Sequence, residues 1–481
     1  MRLGLIFKYI GGVLLLNAAF MLVSAAISWA NGMDSGFTPL ILSCVLTSIL
    51  GFFPSIFVRK KAQINAKEGY CIVTGAWLLC CLVGTFPYLM YGGEFTVINA
   101  WFESVSGFTT TGSTILADVE ALPRSLLFWR ATTHWIGGVG VVMFALAVLP
   151  ALGNTRKMLY NVELSPMAKD NFRYKTPKII RILLMVYIGI TVSETVLLRT
   201  AGMDWFDAVT HSFSTVATGG FSTRNASIAA FDSFWIEQII TFFTLVSGLH
   251  FGLIYATLLG SRNNIFRSEI TRFYFLTVAA ATLLITFSLW HDRIYPTFWE
   301  SLRQSLFQSV TMISTTGFAT ADTNLWTPLA MLILIWLSIQ CACAGSTCGG
   351  IKSDRILLAL KVIKTRIRQQ QHPNAVLRIK LDGITQESST INFAILYIAI
   401  YFFFLILGTL INTACGTDFV TGFSATVACL GNVGPGFGEV GSMDNFGALP
   451  ELAKINLSAL MLFGRLEIFG LIQLFTIKWW I

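Results

Sequence analysis

Long apolar runs alternate along this chain with short stretches that start apolar and end in serine, threonine and glycine. Ten runs reach the roughly 20 residues that a bilayer-spanning helix needs: 8–30, 37–58, 69–92, 125–150, 179–199, 234–259, 271–290, 327–368, 389–412 and 452–477. The eighth is too long for one span and is broken in its middle by small residues. Four shorter stretches lie after the third, fifth, seventh and ninth runs. They read VINAWFESVSGFTTTG (Val97–Gly112), WFDAVTHSFSTVATGG (Trp205–Gly220), LRQSLFQSVTMISTTG (Leu302–Gly317) and FVTGFSATVACLGNVG (Phe419–Gly434). They align without a gap, and eight residues before each final glycine stands a hydroxyl: Ser104, Ser212, Ser309 and Thr426.

Each stretch predicts about three turns of helix and then a Gly-ended loop. It is too short, and too polar at its end, to cross a bilayer. Irregular backbone at membrane depth is tolerated only where it lines a cavity or packs against protein, so each reads as re-entrant. The expected fold is all-α and integral to the membrane, with ten transmembrane helices and four re-entrant pore helices. Its unit is outer helix, re-entrant helix, loop, inner helix, in pseudo-fourfold, potassium-channel-like repeats. The repeats are bounded as 69–178, 179–270, 271–388 and 389–481, and two extra N-terminal helices occupy 1–68.

Composition agrees: 54% of residues are hydrophobic and only 12% charged, which excludes a soluble protein of this length. A cleaved signal peptide is one reading of the N-terminus, but the run after Lys8 is long enough to be a retained helix. The nine cysteines form no CxxC pair and no ligand-spaced set, so neither zinc nor a disulfide framework is indicated. No His/Asp/Ser constellation points to an enzyme, and no nucleic-acid partner is expected.

Basic residues sort to one side of a ten-helix topology: Arg59, Lys60, Lys61 and Lys67; Arg156, Lys157, Lys169, Arg173, Lys175, Lys178 and Arg181; Arg262, Arg267 and Arg272; and Lys352 through Lys380. The positive-inside rule makes that side cytoplasmic and places both termini there. The other side is richer in acids, among them Asp322, Asp418, Glu439 and Asp444, which could concentrate cations at an outer mouth or simply be solvated loop charges. Lys361–Arg368 and Arg156–Lys178 offer surfaces for a regulator or for membrane lipid headgroups.

Four converging loops offer stacked rings of backbone oxygens, and a bare cation at membrane depth needs oxygens to replace its water. The candidate ligands are Thr110, Thr111 and Gly112; Thr218, Gly219 and Gly220; Thr315, Thr316 and Gly317; and Asn432, Val433 and Gly434. Glycine frees the backbone to turn carbonyls toward an axis and leaves no side chain in a narrow pore. No carboxylate lies in these four loop ends, which argues against a divalent-selective ring. Helix C-termini directed at the ion favour a cation.

These four loops, together with HWIGGVGVV (His134–Val142), CACAGSTCGGIKS (Cys341–Ser353) and GNVGPG (Gly431–Gly436), closely resemble the Trk/Ktr/HKT superfamily of potassium transporters. The two extra N-terminal helices resemble its bacterial TrkH type. The resemblance implies potassium held at the filter carbonyls, uptake across the bacterial inner membrane, a homodimer, and a cytosolic TrkA-type nucleotide-binding regulatory ring. Glycine at all four filter positions matches its potassium-selective pattern. It also implies that 341–350 is an intramembrane loop that blocks the pore until it moves. Gly345, Ser346, Thr347, Gly349 and Gly350 would form that gate, with Arg465 bonded to the loop's carbonyls. A mid-membrane arginine is costly and needs such a partner; Glu467, two residues on, lies toward another face.

Gly345–Ser353 nearly spells a phosphate-binding loop, but Ile351 intervenes before Lys352, so this chain itself is not expected to bind nucleotide. His134, His211 and His250 read as packing or hydrogen-bonding residues, and Glu194 as structurally paired. The alternative to a gated pore is a proton- or sodium-coupled potassium symporter. Repeats of one topology rather than inverted ones favour the pore.

Overall fold

The computed structural model describes residues 2–57, 66–148, 176–260, 264–375, 377–468 and 471. Regular structure is nearly all helical; the described residues include a single small antiparallel pair, Lys380–Leu381 with Ile384–Thr385. Helices Leu3–Ala30 and Phe37–Phe57 form a hairpin that packs on Ala66–Gly84 and Arg124–Val148. Four short helices follow long ones: Val97–Phe108, Trp205–Val216, Phe298–Ile313 and Phe419–Gly431. Arg59–Lys61, Arg156–Lys175, Arg262 and the end of the tenth apolar run lie outside the described residues.

Six helices among the described residues are long and apolar enough to cross a membrane, or seven when the bent pair Phe234–Ser247 and Phe251–Leu258 counts as one. Large apolar side chains such as Ile49, Phe52, Leu284 and Phe403 are exposed along these spans, as lipid-facing surfaces require. Inside, Met21, Phe102, Trp129, Tyr397 and Met461 are fully buried and share one core. All nine cysteines are free.

Each short helix starts on an N-cap whose side chain accepts a hydrogen bond from the third residue's amide. The caps are Thr96, Asp204, Thr297 and Asp418. The third helix therefore begins at Phe298, ahead of the aligned stretch at Leu302, because its cap is Thr297. Asp322 also caps a short turn, accepting from Asn324 N at 2.9 Å. Hydrogen bonds from Thr421 hold the Asp418 carboxyl below the usual carboxylate range. Two of the acids expected to steer cations thus have local structural duties.

Two apolar runs are interrupted, the first expected as one continuous helix and the second already expected to break in its middle. The run 234–259 turns through 103° at Gly248–His250, where His250 Nδ1 accepts from Gly252 N and starts a new helix. The run 327–368 divides into Pro328–Gln340 and Ser353–Gln371. Cys341 (φ 57°) and Lys352 (φ 75°) adopt left-handed torsions on either side of that break.

Candidate functional site

The four short helices end where their glycine loops begin, so their partially negative C-termini face one place. The loops share a backbone signature. Thr110, Thr218, Thr315 and Asn432 are left-handed, with φ of 51°, 55°, 60° and 56°. Two residues later Gly112, Gly220, Gly317 and Gly434 are left-handed too, with φ of 85°, 82°, 77° and 104°. Successive carbonyls of an ordinary strand point to opposite sides. Alternating the sign of φ brings them toward the same side.

The glycines also close a ring. A Cβ on Gly112 would overlap Gly219 O, one on Gly220 would overlap Thr316 O, and one on Gly317 would overlap Val433 O. A Cβ on Gly434 would come 2.7 Å from Thr111 O. Loop one meets loop two, two meets three, three meets four, and four returns to one. All twelve predicted filter residues lie on these four loops. Above them lies a cavity of about 80 Å³ lined by all four glycines, with Arg130, Arg224 and Asp444 at its wall.

The loop hydroxyls tie the ring to its surroundings. Thr109 and Thr111 hydroxyls lie 2.8 Å apart, as do those of Ser314 and Thr316. Asn432 Nδ2 donates to Thr111 Oγ1 at 3.0 Å and to Met461 O at 2.9 Å, joining the fourth loop to the first and to the last helix. The aligned hydroxyls at Ser104, Ser212, Ser309 and Thr426 are buried but share no common role: Ser104 donates to Cys81 O at 2.6 Å, whereas the Ser309 hydroxyl has no hydrogen-bond partner among the described residues.

A set of residues holds the segments that leave the ring; three of them, Glu103, Gln304 and Ser424, were missed from sequence, whereas His211 was expected to hydrogen-bond or pack. Glu103 accepts from Ile115 N at 3.1 Å and from Thr114; His211 Nε2 lies 2.9 Å from Ser222 Oγ. Thr320 donates to Gln304 at 2.6 Å, and Phe437 N donates to Ser424 Oγ at 2.8 Å. One short-helix side chain therefore braces the exit of each loop. Polar residues inside four otherwise apolar helices were the available signal.

The first brace is an ion pair. Buried Arg130 donates to Glu103 at 2.8 Å and to Ser222 O at 3.3 Å, and lies 4.0 Å over the Phe221 ring. It thereby links the exits of the first two loops. Removing one partner of a buried pair leaves an uncompensated charge, so Glu103→Ala is expected to destabilise the fold by about 3–5 kcal/mol. A clear drop in thermal unfolding temperature in detergent checks this; an unchanged transition would contradict it.

Beneath the ring, residues 341–350 form an irregular segment, buried apart from a half-buried Gly345. Arg465 Nη1 donates to Thr347 O at 2.6 Å and Nη2 to Gly137 O at 3.2 Å. Thr347 Oγ1 donates to Val216 O at 3.1 Å and accepts from Thr218 at 3.2 Å. Gly349 N donates to Thr315 Oγ1 at 3.4 Å. A Cβ on Gly349 would lie 2.7 Å from Gly431 O. The segment also interlocks with the bend of the 234–259 run: Cys343 N donates to Gly248 O and Phe251 N to Gly345 O, both at 3.1 Å. Ser346 Oγ donates to Cys343 O at 2.7 Å, and Gly350 O accepts from Tyr397 at 3.3 Å.

Glu467 does not pair with Arg465. It binds Lys352 at 2.6 Å and Arg355 at 2.7 Å, where the segment re-enters helix. His134 stacks on Phe221 at 4.1 Å and fills the space beside Gly219, with no side-chain hydrogen bond among the described residues. The His250 ring packs against Gly345. Glu194, expected to be structurally paired, has no ion pair among the described residues; it is buried beside Thr215. Its helix, Thr176–Thr200, offers one base in its last turn, Arg199, which donates instead to Met203 O.

Comparison with known proteins agrees with this architecture. The TrkH family, described as cation transport proteins, matches residues 40–479. The Trk system potassium uptake protein TrkH of Salmonella typhimurium is 35% identical over 98% of each chain. TrkH of Halomonas elongata is 36% identical over 100% of each. The crystal structure of the potassium transporter TrkH from Vibrio parahaemolyticus superposes with a TM-score of 0.90 at 31% identity, covering 100% of both chains. A family match across nearly the whole sequence, with full-length relatives and a full-length structural counterpart, places this chain in the TrkH family of cation transport proteins.

Proposed function

We propose that this chain takes up potassium across the bacterial inner membrane, through the ring of carbonyls that its four loops present. The observation that carries the reading is the closed cycle of contacts at Gly112, Gly220, Gly317 and Gly434. Oxygens fixed in a ring can replace the water around a dehydrated cation. Thr110, Thr111, Thr218, Gly219, Thr315, Thr316, Asn432 and Val433 complete the filter. The fold is taken as ten spans with four re-entrant helices, repeated over 69–178, 179–270, 271–388 and 389–481 after the N-terminal pair. Both termini are cytoplasmic.

In this reading 341–350 is the gate, and Arg465 holds it closed beneath the filter. Its hydrogen bond to Thr347 O supports that role. The protein works as a homodimer with a TrkA-type nucleotide-binding ring on its cytoplasmic face. Relatives named as Trk system potassium uptake proteins support the substrate and the partnership.

Flux into liposomes holding the purified protein tests the proposal. Rubidium and potassium should enter, and sodium should lag well behind. Equal entry of sodium would refute the selectivity. A reversal potential that shifts with pH or sodium would replace the pore with coupled symport.

A further inference from the structure

The break in the 327–368 run leaves a space beside it. A lateral groove of about 680 Å³ opens between helices Glu269–His291, Pro328–Gln340, Ser353–Gln371 and Ser388–Ala414. Leu276, Leu284, Leu332, Trp336, Ile356 and Phe402 give it an almost wholly apolar wall. Its polar floor is already satisfied, because Gln340 Nε2 donates to Thr277 at 3.2 Å and to Ser353 at 3.4 Å. An occupant therefore meets hydrocarbon and finds no free polar partner on that floor.

The groove continues onto an exposed stripe. Ile356, Ala359, Leu360, Ile363 and Ile367 recur at helical spacing, and the last three are about half exposed, at 49%, 56% and 53%. Cations flank this stripe. Lys361 is engaged with Glu269. Lys364 and Arg368 are exposed, and their side chains have no hydrogen-bond or ion-pair partner among the described residues. An apolar slot at membrane depth, continuous with an apolar stripe edged by free cations, matches a lipid with an anionic head.

We infer that this groove binds one anionic phospholipid of the surrounding bilayer, with an acyl chain against Leu284, Leu332 and Phe402 and its phosphate on Lys364 and Arg368. The site requires only that these helices lie in a membrane; it does not depend on the gating role of 341–350.

The test is native mass spectrometry of delipidated full-length protein, titrated with phosphatidylglycerol or phosphatidylcholine. With about fivefold per headgroup cation, phosphatidylglycerol should be retained roughly twenty-five-fold better. The double variant Lys364→Gln/Arg368→Gln should bring the two lipids to parity. Ala280→Trp, which fills the groove, should abolish retention of both; Leu284→Trp replaces it if thermal unfolding reports a misfolded protein. Equal retention by the unsubstituted protein, or unchanged retention in the filled variant, overturns the inference. Dissociation of a dimer by the filled variant, with lipid retention intact, would assign the groove to a second copy of the chain.

Discussion

Gly220→Ala and Gly317→Ala are each expected to cut rubidium flux through reconstituted protein by at least about a hundredfold. A left-handed residue with a Cβ costs about 1–2 kcal/mol. The added carbon must also displace a carbonyl of the neighbouring loop, Thr316 O or Val433 O. Together these reach roughly 3 kcal/mol, which is about two orders of magnitude in rate. Gly434→Ser should be milder, because its Cβ approaches Thr111 O only to 2.7 Å. It should keep a measurable flux with relaxed exclusion of sodium. A ranking in which Gly434→Ser is the most damaging would show that the ring does not limit transport.

The second large effect concerns Arg465. Arg465→Ala removes the bonds to Thr347 O and Gly137 O. A hydrogen bond from a charged donor contributes about 1.5–3 kcal/mol, so the proposed closed state should lose roughly ten- to a hundredfold in population. Basal potassium flux without any regulator should rise accordingly. Arg465→Lys keeps the charge but lacks the planar fork that reaches both carbonyls, so it should fall between the two. Basal flux that stays at the parent level in the alanine variant would remove Arg465 from the gate.

Much of this was legible in the sequence because the loops repeat. Four ungapped copies singled out the glycines that the structure joins in a ring. The left-handed Thr110, Thr218 and Thr315 were not legible as such, since threonine carries no signal for that torsion; only their shared register with Asn432 could have pointed to it. The braces at Glu103, Gln304 and Ser424 were visible as polar residues in apolar helices, but their partners lie across loops whose paths the sequence does not give. The bend at Gly248–His250 was missed because apolar composition continues straight through it. Glu467 could be excluded as the partner of Arg465 from helical spacing. Its pairing with Lys352 and Arg355 could not be found that way, because it joins residues more than a hundred positions apart.

The segment 341–350 touches the second, third and fourth loops, the bend at Gly248 and the last helix. Its hydrogen bonds are made by buried groups, and each is strong in such surroundings. Movement of the proposed gate must therefore break several at once. The consequence is thermal: opening carries a large enthalpy, offset by the freedom that the released segment gains. Cooling would shut such a gate far more sharply than it slows an ion crossing an open ring.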